Sequence, residues 1–321
     1  MTRHGPAAPL YAWLRDHLGW PDGGVDARDR SAKGIRPRVA LAAWAAVGGA
    51  AESAAAVDIA AAIELTHEFS LIHDDIEDRD LVRRGRATLW TTIGEAQAIN
   101  AGDALFGIAR GVLSGAALPS DVIVAAARRY DAACVRLAEG QSLDIAFESR
   151  SVGDVSLEDY VDMVRRKTGA LLGAAAALGA LGAGATAATA DALERWGEHL
   201  GVAFQIQDDV LGIWGDPAVT LKPAGHDLVR RKKSVPVLLA AADRALSTPL
   251  RNAFAGDEPM TTATAASLAA AMAKRGLGDA CRTEARRHAE SAQAALATAS
   301  LLPGPGAMLA ALAQQAVDRE R

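Results

Sequence analysis

Residues 64–80 read ELTHEFSLIHDDIEDRD, and the end of this stretch places five carboxylates, Asp74, Asp75, Glu77, Asp78 and Asp80, within seven positions of an otherwise apolar helical pattern. The pattern reaches back to Ala54. Leu65, Phe69, Ile72 and Ile76 follow the i, i+4, i+7, i+11 spacing of one helical face, while His67, Leu71, Asp74 and Asp78 repeat it on the opposite face. One face packs and the other presents chemistry. Because a helix turns by roughly 100° per residue, Asp74 and Asp78 stand one turn apart and can share a divalent cation. Arg83 and Arg84 follow closely. Hard oxygen donors suited to Mg²⁺, beside paired guanidinium groups suited to phosphate, point to a metal-bridged diphosphate. An acidic run taken alone is equally a solvated helix end.

A second cluster shifts that balance. Residues 205–212 read QIQDDVLG, so Asp208 and Asp209 form another aspartate pair in an apolar helical stretch, 134 positions after the first (208 minus 74). Carboxylates buried without partners are costly, and two such pairs make most sense facing each other around metal and an anionic ligand. The runs Glu64 to Asp74 and Glu198 to Asp208 are both ten positions long, at most a faint internal repeat.

Asp74-Asp75-Ile76-Glu77-Asp78 with Arg83-Arg84, followed by Asp208-Asp209, resembles the two aspartate-rich motifs of the trans-isoprenyl diphosphate synthases, the polyprenyl synthetase family. The resemblance extends along most of the chain. Lys33-Gly34-Ile35-Arg36-Pro37 is similar to that family's early basic signature, His67 stands where the family places His or Gln, and Lys167-Thr168 matches its Lys-Thr pair. Gln205, Lys222 and Lys232 fall at the family's spacings, so the landmarks run in order from about residue 33 to 236. The implied fold is all-α: a helical bundle of the isoprenoid synthase type with a central cavity, formed as a single domain over residues 1–321.

Composition agrees with this class. Half of the residues are hydrophobic and Ala dominates, which favours helices packed through small side chains, and no long low-complexity linker divides the chain. A net charge of −5 and 4% aromatic residues give no footprint for nucleic acid. Cys134 and Cys281 lack metal-ligand spacing and read as free thiols in a reducing, cytoplasmic setting, and no signal peptide is evident at the N-terminus. The charge-free stretch from Thr168 to Ala190 is long enough to span a bilayer, but its Ala/Gly content predicts a buried helix or helix pair instead. Gly182-Ala183-Gly184-Ala185-Thr186-Ala187 formally fits a dinucleotide fingerprint, yet no Val/Ile-rich strand precedes it.

The resemblance implies a reaction joining an allylic diphosphate to isopentenyl diphosphate. Asp74, Asp78 and Asp208 would hold a trinuclear Mg²⁺ cluster on the leaving diphosphate, with Asp75 and Asp209 acting behind them or through water. Arg83, Lys167, Lys222 and Lys232 would bind the allylic diphosphate, and Gln205 and Thr168 would line the reaction centre. Lys33, Arg36, His67 and Arg84 would bind the second diphosphate without metal, a division that suits a trianion needing several cationic donors. The released diphosphate would take the proton, so no dedicated protein base is expected. A homodimer is also implied.

Three positions depart from the pattern: Gly34 stands where many relatives have Arg, Gly212 replaces a third aspartate, and Leu221 precedes Lys222 where Gly is frequent. Product length is expected to follow the residues just upstream of Asp74. A lone aromatic, Phe69, followed by small Ser70 resembles one class of geranylgeranyl diphosphate synthases, with farnesyl and longer products as alternatives. At ~1.5 Å and ~100° per residue, Phe69 lies about 7.5 Å deeper than Asp74 but points roughly 140° away, so it equally suits the packed stripe with Leu65 and Ile72. A non-catalytic subunit of a heteromeric synthase would keep the fold, although the intact first motif speaks against it. A terpene cyclase would normally lack Lys33, Arg36 and His67.

Overall fold

The structure, a computed structural model, describes residues 7–20, 34–216, 225–255 and 260–317. Lys33, Leu221 and Lys222 lie outside the described residues. The chain is helical almost throughout, as the sequence predicts: α1 (Ala8–His17), α2 (Ile35–Ala46) and α3 (Ala54–Glu77) precede a short antiparallel hairpin, β1 (Val82–Arg83) and β2 (Arg86–Ala87). Then come α4 (Leu89–Ile93), α5 (Glu95–Ser114), α6 (Ser120–Glu148) and α7 (Leu157–Val164), which runs through a π turn (Arg165–Gly169) into α8 (Ala170–Gly182). After α9 (Ala187–Trp214), the described chain continues with α10 (His226–Val229), α11 (Val235–Ala242), α12 (Ser247–Phe254), α13 (Thr262–Lys274), α14 (Leu277–Leu296) and α15 (Pro303–Val317).

The charge-free stretch explains itself at the centre of this bundle. Every residue of α8 from Ala170 to Leu181 is buried, the signature of a helix enclosed on all sides. No described helix is long and apolar enough to cross a membrane. The apparent dinucleotide fingerprint is the turn between α8 and α9, with a helix rather than a strand before it. Glycines let these two helices meet backbone to backbone: a Cβ on Gly201 would lie 2.6 Å from Gly169 Cα, and one on Gly197 would lie 2.7 Å from Gly173 Cα. Arg129 and Arg136 of α6 reach across to Asp191, Glu194 and Glu198 of α9 and close that side with ion pairs.

α3 is capped by Ser53, whose Oγ accepts from the Ala56 amide at 3.4 Å. Its apolar stripe behaves as its period predicts. Leu65, Ile72 and Ile76 are buried against Leu105 and Ala109 of α5 and Leu89 of α4, and the opposite face carries the acidic residues to the helix C-terminus. His73 seats its ring on Gly102 of α5, where a Cβ would collide with it.

Candidate active site

The first acidic motif occupies the last turn of α3 and the turn that follows. Asp75 is buried at 2% exposure and accepts a hydrogen bond from Arg83 Nε at 2.5 Å, so it orients the hairpin arginine instead of facing the cavity. Asp74 and Asp78 are half-buried. Burial pushes Asp74 up to about 6, with Asp78 and Glu77 adding repulsion that Lys167 only partly offsets. Burial raises Asp78 in the same way, against Lys167. These carboxylates are short of positive charge.

The second motif lies on the last turns of α9. Asp209 is fully buried and satisfied on several sides: Tyr160 Oη donates to it at 2.5 Å, the Val235 amide at 3.2 Å, Gln205 Nε2 at 3.3 Å and Lys232 Nζ at 3.4 Å. Asp208, next to it, is half-buried. Asp209 is thus a holder of Lys232 and Gln205. Burial alone would lower Lys232, but Asp209, Asp227 and Asp144 outweigh it and hold the ammonium above its ordinary value.

Lys167 links the two motifs. It sits in the π turn, a local widening that recurs at functional sites, and donates to Asp144 Oδ2 at 2.7 Å. Burial alone would lower it, but Asp144, Asp74 and Asp78 outweigh that and keep it charged. Gly140 of α6 permits this seat, because any Cβ there would strike the Lys167 backbone. Asp144 acts on both Lys167 and Lys232, so one alternating network runs from Asp74 and Asp78 through Lys167, Asp144 and Lys232 to Asp209. Next in the π turn, Thr168 Oγ1 donates to Gln205 Oε1 at 3.4 Å, which joins the two residues expected to share the reaction centre. The mouth is a cavity of about 1100 Å³ with Asp78, Asp144, Lys167, Asp227 and Lys232 in its wall.

Several of these residues were not singled out in the sequence. Gln141 Nε2 donates to Glu77 at 2.6 Å, Arg230 Nη1 donates to Asp80 Oδ1 at 2.9 Å, and Tyr160 anchors Asp209. Gln141 and Asp144 are spaced to share a helical face within α6, a signal present in the sequence. Asp227 answers the departure at Gly212, since its carboxylate fills the space where a side chain at 212 would begin.

The donor set fits Mg²⁺. It is all oxygen, and among the described residues no three His, Cys, Asp or Glu side chains converge as a ready cage. Mg²⁺ is usually held by a few carboxylates plus substrate phosphate and water, which is what such an open arrangement allows.

A separate basic cluster sits along α3 and α2. Burial, then Arg36 and Arg84, push His67 well below its ordinary value, so it is neutral between guanidinium groups. Arg36 Nε is buried with no partner among the described residues. Gly34 caps α2 with a left-handed φ of 53°, a backbone state that suits Gly better than Arg. Phe69 packs in the stripe with Leu65 and Ile72, its ring 4.9 Å from Phe106 of α5 and 5.8 Å from His73. Phe106 in turn stacks 6.4 Å from Tyr130, whose hydroxyl pairs with Thr66 at 2.6 Å. Ser70 is buried.

The chain is similar to known proteins over nearly its whole length. It is 40% identical to a (2E,6E)-farnesyl diphosphate synthase of Mycobacterium tuberculosis over 95% of this chain and 84% of the relative. It is also 40% identical to a geranylgeranyl diphosphate synthase of the same organism, over 97% and 87%. The crystal structure of a polyprenyl synthetase from Streptomyces coelicolor A3(2) superposes with a TM-score of 0.87 at 38% identity, covering 98% of this chain and 93% of that one. With residues 27–272 matching the polyprenyl synthetase model as well, this chain belongs to the polyprenyl synthetase family of prenyltransferases.

Proposed function

We propose that the chain condenses isopentenyl diphosphate with an allylic diphosphate in a Mg²⁺-dependent reaction, and that its main product is geranylgeranyl diphosphate. The observation that carries this reading is the alternating network of Asp74, Asp78, Lys167, Asp144, Lys232 and Asp209, four of which, Asp78, Asp144, Lys167 and Lys232, line one cavity. The allylic C–O bond breaks, its carbon bonds to the terminal carbon of the isopentenyl double bond, and a proton leaves to the released diphosphate. Asp74, Asp78 and Asp208 would hold the Mg²⁺ ions, whose Lewis acidity neutralises the departing diphosphate. Arg83, Lys167, Lys222 and Lys232 bind that diphosphate from the protein side. Thr168 and Gln205 place polar atoms beside the developing cation, and Lys33, Arg36, His67 and Arg84 bind the isopentenyl diphosphate.

Product length rests on Phe69 with small Ser70 beside it, and two relatives of equal identity make different products by name, so the alternative is the farnesyl compound. We place the enzyme in the cytoplasm as a homodimer, as the family resemblance implies. The test supplies purified protein with Mg²⁺, isopentenyl diphosphate and primers of increasing length, and sizes the products. Elongation ending at geranylgeranyl diphosphate supports the proposal. No elongation with any primer, or full turnover in excess chelator, overturns it.

A further inference from the structure

A buried carboxylate stands where the proposed function wants only cations. Glu68 follows His67 on α3, and its side chain is 4% exposed. Six residues before Asp74, it is turned by roughly 120° from that face, toward the hairpin rather than the mouth. Its Oε1 accepts both Arg84 Nη1 at 3.0 Å and Arg84 Nη2 at 3.1 Å. From the other side, His17 Nε2 of α1 comes within 3.2 Å of Glu68 Oε2. Arg86, two residues after Arg84, donates to the Asp16 carbonyl at 3.1 Å and to its carboxylate at 2.6 Å. The last turn of α1 therefore grips the hairpin twice, once directly and once through Glu68.

A buried carboxylate without partners would be strongly unfavourable, so Glu68 fixes the guanidinium that satisfies it. Both Arg84 terminal nitrogens share one oxygen, which leaves Arg84 Nε and the outer N–H groups without an acceptor among the described residues and able to meet an anion. Arg84 itself has a left-handed backbone, φ 53°, and the side-chain anchor holds a turn that Arg adopts reluctantly.

We infer that Glu68 and His17 are positioning residues for the isopentenyl diphosphate site: they hold Arg84 in its anion-binding pose from α3 and from α1. The inference rests on the role proposed above for Arg84.

Steady-state kinetics with each substrate varied separately test it on Arg84→Ala, Glu68→Gln, His17→Ala and His17→Gln. Glu68→Gln should raise the KM for isopentenyl diphosphate roughly tenfold, the scale of one lost hydrogen bond to a charged group, with kcat and the allylic KM little changed. His17→Ala should move the same constant by less, because its contact with Glu68 is close but poorly aligned. His17→Gln, which keeps an N–H donor, should restore it. If Arg84→Ala raises that KM while Glu68→Gln and His17→Ala leave it alone, the inference falls and the site assignment stands. If Arg84→Ala leaves it unchanged, the assignment of Arg84 itself falls. Equal changes in both KM values, or a loss of kcat alone, mark a merely structural role and overturn the inference. Should Glu68→Gln fail to fold by circular dichroism, the His17 pair carries the test.

Discussion

The carboxylates Asp74 and Asp78 at the end of α3 and the cluster around Arg36, His67 and Arg84 are built from the same kinds of charged residue in opposite settings. At the end of α3, burial and neighbouring carboxylates raise Asp74 and Asp78 against the pull of Lys167. In the cluster, guanidinium groups surround a neutral His67, and Glu68 is lowered because His17 and Arg84 outweigh its burial. An excess of buried negative charge is relieved by metal, and an excess of positive charge by a bare anion. On the proposed function, two diphosphates in one enzyme would thereby be told apart by whether they bring metal with them.

The largest expected effect breaks the first half of that contrast. Asp74→Ala or Asp78→Ala should cut kcat by about a thousandfold or more, since each removes a ligand needed as the C–O bond breaks. Single-turnover rates with saturating Mg²⁺ are the measurement, and a rate near that of the parent protein in either variant would show that the mouth does not work through its carboxylates. Arg84→Ala should instead act on the KM for isopentenyl diphosphate, about tenfold, with turnover largely kept. The opposite assignment of effects would mean the two diphosphate sites are exchanged.

A smaller effect concerns the end of the hydrocarbon chain. Phe69→Ala is expected to add a prenyl unit to part of the product, read by chromatography of the dephosphorylated alcohols. The packed position of Phe69 against Phe106 allows a competing outcome, an unchanged product with stability lower by about 3–5 kcal/mol from a lost core ring. That outcome would move the chain-length function away from residue 69.

The smallest effect is on the resting protein. Folded Asp74 is the weaker acid, at about 6 against 3.8. The folded state therefore binds the proton more tightly, and the stability present below the unfolded value is lost as pH rises through about 6. Asp74→Asn removes that loss, so its melting temperature in the absence of metal should exceed the parent's by a few degrees at pH 7.5 and match it near pH 4. A gain that is the same at both values would show that the charge is not the cause.

Much of this was legible before any coordinates. The stripe through Leu65, Ile72 and Ile76 predicts the packed face of α3 because a 3.6-residue period leaves few alternatives, and the charge-free stretch predicts a helix buried all round. The motif aspartates stood out because carboxylates are conspicuous among apolar residues. Tyr160, Asp144, Asp227 and Glu68 did not stand out. Each acts on a partner brought near by the fold: Tyr160 meets Asp209 across 49 positions, and Glu68 meets Arg84 across 16. An isolated polar residue on a long helix looks the same in sequence whether it holds a lysine or faces water. Phe69 shows the converse: its depth suited a cavity floor and its azimuth of ~140° suited the packed stripe, so the sequence left both readings open.

The glycine seam between α8 and α9 bears on how the chain finds this structure. Its two helices adjoin in sequence, so their docking closes only a short loop and costs little entropy. Contacts this local form early in folding. Thr168 and Gln205 stand at the far end of the same helix pair, so their pairing forms with that local docking. A methyl group at Gly201 would then be felt during biosynthesis, as refolding yield and soluble expression, before it was felt in turnover.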